Sequence, residues 1–208
     1  MAFIQLIRHA KTSGNEQKKY IGVTDEPLSK NGKAELALLK QCGVYSPVDV
    51  IFTSPMRRCK ETAALIFENK PCEIVHEFAE CDFGEFEGKS YEELKENVAY
   101  RKWIASNGRS GIPQGEDSEN FRERNCKGFE YVMAKIIAGE YHSAAAVLHG
   151  GSIMAIMAKY AASGADFYEW QVKNCGGVKI ELDESIWRQS HKIDNVEKII
   201  LPDITKSY

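Results

Sequence analysis

The sequence predicts an α/β fold: a mostly parallel central sheet with helices on both faces, one antiparallel edge strand and a helical cap insertion. Short apolar runs at residues 3–7, 48–53 and 143–148 each stop abruptly at polar residues, as strands buried on both faces do. Segments with helical periodicity separate them, so strand and helix alternate. Between about residues 77 and 142 the chain takes a detour several times longer than a crossover helix needs, which calls for an extra lobe.

The opening run, FIQLIRHAKTSGN at 3–15, reads as a buried strand delivering Arg8 and His9 to its tip, with Thr12, Ser13, Gly14 and Asn15 as a loop. Ser29 caps a helix whose apolar face holds Leu36 and Leu39, and Gly43 ends it. VDVIFT at 48–53 is the second strand, MRRCKETAALIF the next helix and PCEIVHEF at 71–78 the third strand. Inside the cap, KSYEELKENVAYRKWIASNG carries Tyr91, Leu94, Val98 and Trp103 at helical spacing, and those aromatics are read as lobe core. The loop GIPQGEDS leads to a helix over SENFRERNCKGFEYVMAKII. SAAAVL at 143–148 returns to the sheet, ends in HGGS and is followed by the helix IMAIMAKYAA. VKIELDESIWRQSHKI reads as two strands around a turn at Asp183 and Glu184, and the tail NVEKIILPDITKSY carries no signal.

The 208 residues suffice for a single domain, 1–208, with a cap at about 77–142 and a tail at about 195–208. A net charge of −3 with scattered basic residues argues against nucleic acid. The six cysteines, at 42, 59, 72, 81, 126 and 175, form no CxxC pair and read as free thiols of a reducing compartment. The N-terminal apolar run is short, broken by Arg8 and without a basic leader, and no stretch approaches a membrane span, so the expectation is a cytoplasmic protein without a membrane partner. Oligomeric state stays open, a homodimer included.

Polar groups follow three separate strands: Arg8 and His9, the stretch Ser54 to Arg58, and His149, Gly150 and Gly151. In a parallel sheet these ends share one edge, where ligands bind. Arg58 lies one turn into a helix and can reach back to an anion, while Arg57 and Lys60 point elsewhere. Gly150 and Gly151 open a helix whose free amides favour negative charge. His76, His142 and His191 read as surface residues, Asp25 and Asp166 as turn residues, and Lys11, Lys18 and Lys19 as a solvated loop near the site.

With these residues in place, the chain resembles the histidine phosphatase superfamily, the phosphoglycerate-mutase-like fold, from Ile4 to about Asn174. LIRHAKTSGN resembles the RHG-E-T-x-x-N signature through Arg8, His9, Thr12 and Asn15. GVTDEPLSKNGKAELA, beginning at Gly22, resembles the G-x-x-D-x-P-L-T segment, and TSPMRRCKETA the S-P-L-x-R segment, which selects Arg58. ECDFGEFEG resembles the acidic segment whose first glutamate, here Glu80, is the family's proton donor; Glu87 is the alternative acid. PQGEDSENFRER resembles P-G-G-E-S with its later arginine, here Arg124, and LHGG the second histidine motif. Ala10 replaces a glycine, which asks for negative φ beside the nucleophile. Lys11, Glu61 and Asp117 are further departures.

The resemblance implies a phosphoric monoester hydrolase of the histidine acid type. His9 attacks phosphorus, Arg8, Arg58, Asn15 and His149 hold the phosphoryl oxygens with Thr12, Gly22 and Gly150 nearby, and Glu80 protonates the leaving group. No metal or other cofactor is implied. The expected substrate is a small phosphorylated metabolite. The acidic lobe resembles that of the α-ribazole phosphatases, which makes α-ribazole 5′-phosphate one candidate. The alternatives are a phosphoglycerate mutase, a non-catalytic binder of phosphate ligands on the same fold, a metal hydrolase, and a Walker-type nucleotide binder at Gly88-Lys89-Ser90. The last is disfavoured because Gly84 stands one residue too close.

Overall fold

The computed structural model describes residues 2–203. β1 (Ala2–Arg8), β2 (Val50–Thr53), β3 (Cys72–Ile74) and β4 (Ser143–Leu148) run parallel. β5 (Gly177–Leu182) runs against β1, and β6 (Asn195–Ile199) covers β5 from outside in the order β3-β2-β4-β1-β5-β6. Alternation along the strands splits the core into two layers. Ile4, Leu6, Phe52, Ala144 and Ala146 face one layer with α6 (Ser118–Ile137) and α7 (Gly150–Tyr160). Ile7, Ile51, Ala145 and Val147 face the other with α2 (Lys30–Gln41) and α3 (Arg57–Ile66).

Register places the site. β4 lies between β1 and β2, and Arg8 pairs with Leu148 while Thr53 pairs with Val147. The residues that follow, His9, His149 and Ser54, therefore leave the sheet side by side. The backbone N–H groups of His9 and Ser54 still donate to the Leu148 and Val147 carbonyls, at 3.0 Å each.

The segment between β3 and β4 holds a third apolar cluster of its own, made by Cys81, Phe86, Leu94, Tyr100, Ile112 and Phe121. α6 joins it to the sheet: Phe121, at the start of the helix, belongs to this cluster, while Phe129, Val132 and Met133 belong to the sheet layer. The helix expected over 89–108 is broken into α4 (Tyr91–Leu94) and α5 (Val98–Ala105). Asn97 causes the break by capping the Tyr100 N–H with its own carboxamide, which starts a new helix and leaves Tyr91 and Val98 exposed.

Other local expectations are corrected in the same way. The stretch after His9 forms a single helical turn, α1 (Ser13–Glu16), because Thr12 and Asn15 make a capping box. The third strand is shorter than expected and gives way to a 3-10 turn at His76–Phe78 that buries Phe78. Asp183 does not turn a hairpin. Its carboxylate accepts the Ser185 and Ile186 N–H groups and caps α8 (Glu184–Ser190), whose Trp187 packs on Phe129 and Tyr160. The tail read as carrying no signal supplies β6. The six cysteines are free, and no helix among the described residues is long and apolar enough to cross a membrane.

At Gly177 a Cβ would collide with the Leu6 carbonyl, backbone against backbone, whereas at Gly111 it would meet open space. Gly177→Ala is expected to lower stability by about 2 kcal/mol or more and Gly111→Ala by less than about 0.5 kcal/mol, read from urea unfolding midpoints.

Candidate active site

The strand ends meet around a cavity of about 610 Å3 whose lining includes Arg8, His9, Asn15, Glu80, Gly150, Gly151 and Asn174. His9 is 3 % exposed and its Nδ1 lies 2.7 Å from its neighbour's carbonyl, that of Ala10. A carbonyl can only accept, so Nδ1 carries the proton and Nε2 keeps the lone pair. Ala10, whose φ is negative as expected, is anchored in turn by its N–H donating to Thr62 Oγ1 at 3.0 Å. Asn174 donates to the His9 carbonyl at 2.9 Å.

His149 is completely buried with its ring centroid 5.2 Å from that of His9. Ser54 Oγ fixes its Nε2 at 2.8 Å, and its Nδ1 stands 3.6 Å from Glu80 Oε2. Both imidazoles are held well below the ordinary histidine value, first by burial and then by the guanidinium of Arg58. They are neutral at pH 7. Burial pushes Glu80 the other way, above the usual carboxylate range, with Arg58 and Arg8 opposing.

Arg58 is 0 % exposed and is held by backbone alone: Nη1 donates to the Thr24 carbonyl at 3.0 Å and Nη2 to that of Gly22 at 2.9 Å. Its Nε–H has no partner. The same is true of Arg8, whose Nη1 donates to the Val172 carbonyl at 2.8 Å while its buried Nε–H is unpaired. Two cations with unpaired donors beside two neutral imidazoles make a cup suited to an anion. α7 adds its N-terminus, because His149 sits at the N-cap without giving its side chain to the helix, so Gly150 and Gly151 keep free amides.

Not every expected ligand faces the cavity: Arg58 and His149, both fully buried, stand behind its lining. Thr12 is fully buried, and its hydroxyl accepts the Asn15 N–H at 3.2 Å. Asn15 Oδ1 accepts from the Thr12 N–H and from Asn174, which leaves the Asn15 amide NH2 to donate. Gly22 stays outside the lining because its N–H is taken by Glu87 at 2.9 Å and its carbonyl by Arg58. Glu87 also accepts the Thr24 N–H, so this acid braces the Arg58 cage. Arg57 turns outward to Glu61, and Lys11 pairs with Glu35. His76, His142 and His191 are exposed, Asp25 accepts the Arg57 N–H and Asp166 caps a 3-10 turn.

Arg124 grips Glu116 through two bonds, Nε to Oε1 at 2.6 Å and Nη2 to Oε2 at 2.7 Å. It also donates to the carbonyls of Glu77, Ala79 and Glu80. The backbone carrying Glu80 is thereby tied to α6. Lys18 and Lys19, from the loop expected near the site, line the cavity, and so do Asn174, Tyr20, Phe167 and Tyr168, which no sequence signal marked. Trp103, read as lobe core, lines the cavity as well as packing on Tyr20 and Phe86. None of these stands at the end of an apolar run, the signal that found the histidines.

Residues 4–195 match the family model described as the histidine phosphatase superfamily (branch 1). The chain belongs to that superfamily. An uncharacterized phosphatase of Bacillus subtilis is 28 % identical over 193 residues, covering 90 % of this chain and 92 % of its own. A 2,3-bisphosphoglycerate-dependent phosphoglycerate mutase of Gloeobacter violaceus is 29 % identical over 168 residues, 76 % of this chain and 74 % of its own. Among solved structures, the α-ribazole phosphatase of Shigella flexneri superposes with a TM-score of 0.76 at 20 % identity, covering 96 % of this chain and 95 % of that one, which is a likeness of fold. In superfamily terms the fold is the expected one, with β5 as the strand that runs against the rest.

The depressed imidazoles also predict how this superfamily member responds to acid. Below pH 6.5 the unfolded chain takes up protons that the folded His9 and His149 refuse, so stability is full above that pH and declines below it. Each imidazole contributes up to about 1.4 kcal/mol per pH unit. Glu80, raised, acts in the opposite sense, so the comparison of wild type with His149→Asn isolates one imidazole. Urea midpoints at about pH 7.5 and 5.5 are expected to fall less in the variant.

Proposed function

We propose that the protein is a metal-independent phosphomonoesterase that works through a phosphohistidine at His9 and acts on a small phosphorylated metabolite. The single observation that supports this most is the pair of unpaired guanidinium N–H groups, on Arg8 and Arg58, beside a neutral His9 whose Nε2 is free. In the first half-reaction Nε2 attacks phosphorus as the ester oxygen departs. The two guanidinium groups, His149, the Asn15 amide and the α7 amides at Gly150 cancel charge on the equatorial oxygens. The Nδ1–H donated to Ala10 steadies the imidazole as it becomes cationic.

Glu80, whose burial favours the uncharged acid, gives its proton to the leaving alkoxide. In the second half-reaction the resulting carboxylate takes a proton from water, the hydroxide oxygen bonds to phosphorus, and the P–N bond breaks to regenerate neutral His9. The cationic groups of the cup would repel a metal ion. α-Ribazole 5′-phosphate is a candidate substrate on the resemblance of the cap segment.

Turnover of p-nitrophenyl phosphate is expected to survive EDTA and to fall by about a thousandfold or more in His9→Ala. Persistence of turnover in that variant would refute the proposal, and phosphate migration between substrate oxygens without release would make the protein a mutase. The acid role has its own signature in pH. Glu80 must be protonated and His9 neutral, so kcat/KM falls as pH rises through the elevated Glu80 value, while its acid limb lies well below 6.5. Glu80→Gln removes the alkaline limb. It slows phenyl and alkyl phosphates by about a hundredfold or more but p-nitrophenyl phosphate far less, because nitrophenolate departs without a proton.

A further inference from the structure

The phosphoryl cup fills only the floor of the cavity. Tyr20, Phe83 and Trp103 line the cavity and pack on one another with centroids 5.2 to 6.4 Å apart, Trp103 edge to face with both of the others. Tyr20 and Trp103 rest on Tyr100, and Trp103 also on Phe86, of the cap core, so these two rings cannot swing away without unpacking it. Phe121, Met154, Phe167 and Tyr168 line the same cavity. The Arg122 guanidinium lies 4.2 Å over the Phe167 ring. Gly108 lies between two of these residues: an added Cβ there would stand 3.2 Å from Tyr168 Oη and 3.7 Å from Trp103 Nε1.

A phosphate alone needs none of this. A cavity of about 610 Å3 falls within the range, roughly 300 to 1,000 Å3, that takes drug-sized ligands. Cations line the cavity as well, Lys18, Lys19 and Arg122, so a ring is favoured by the apolar and aromatic walls and not by a lack of charge. Glu116, an acid of the lining, is already spent on Arg124. A cavity lined this heavily by apolar and aromatic surface suits a flat ring, which gains by stacking as well as by leaving water.

We infer that the cap and the 167–170 turn form a subsite for a planar aromatic leaving group, so that the preferred substrates are phosphomonoesters of alcohols bearing an aromatic ring. The inference rests on the phosphomonoesterase reading of the same cavity and names its substrate class. Tyr20, Trp103 and Tyr168 are its specificity-determining residues. The floor handles phosphorus whatever the alcohol, and the walls choose among alcohols.

The test compares naphthylethyl phosphate with ethyl phosphate, which share a primary alkoxide leaving group and so make the same demand on the proton donor. kcat/KM for the naphthyl ester is expected to be higher by about tenfold or more. In Trp103→Ala and Tyr168→Ala that ratio should collapse toward one. Tyr168 is half exposed on a short turn, so its truncation tests the subsite even where the Trp103 variant fails to fold. Equal kcat/KM for the two esters in wild type, or a ratio that persists in both variants, overturns the inference. Binding of naphthylethylphosphonate, which cannot be hydrolysed, is measured by calorimetry in parallel. Turnover of neither ester would sink the phosphomonoesterase reading, and the subsite would then stand or fall on tighter binding of the naphthyl than the ethyl phosphonate.

Discussion

Everything at this site follows from burying guanidinium groups at the end of a sheet without a carboxylate paired to them. Arg58 is completely enclosed, yet what touches it is backbone carbonyl: Thr24 and Gly22, with Ile21 more distant. Carbonyl oxygens satisfy hydrogen bonds without cancelling charge, so the positive field survives inside a region of low dielectric. That field and burial together keep His9 and His149 unprotonated, and burial against that field raises Glu80 above the usual carboxylate range. A salt bridge to Arg58 would have stabilised the fold and removed the reason for an anion to enter.

The cage around Arg58 has a cost that other residues meet. The loop supplying its carbonyls is braced from the cap by Glu87, whose carboxylate takes the N–H groups of Gly22 and Thr24. Gly22 lies so close to the Cys81 carbonyl that a Cβ would collide with it. The cap therefore positions the cation as well as covering the cavity. Arg124 does the corresponding work for the acid, tying the carbonyls of Glu77, Ala79 and Glu80 itself to α6. One helix thus links the sheet core, the cap core and Glu80, and the geometry of that carboxyl depends on packing at Phe121 and Phe129.

The parts of the fold that were legible in the sequence are those buried on both sides. β1, β2 and β4 are continuous apolar runs because helices cover both faces, and the polar residues that end them announced His9, Ser54 and His149. β6 was not legible because it is a half-exposed edge, and α8 was not because Asp183 offers its carboxylate as a cap where a turn was expected. Motif resemblance singled out Glu80, but acidity could not separate it from Glu87. Only the folded chain distinguishes a buried carboxyl facing His149 from one clasping two backbone amides. Asn174 and Tyr168 sit in irregular segments whose positions depend on the whole sheet, so no local pattern could announce them.

The central claim is that His9 attacks through one particular nitrogen. Brief exposure of the enzyme to a labelled phosphomonoester, quenching in base and peptide mass spectrometry should reveal phosphate on His9. Because Nδ1 is committed to the Ala10 carbonyl, the adduct should be the Nε2 isomer. Phosphate on His149, an Nδ1 adduct, or turnover with no labelled histidine at all would contradict the account.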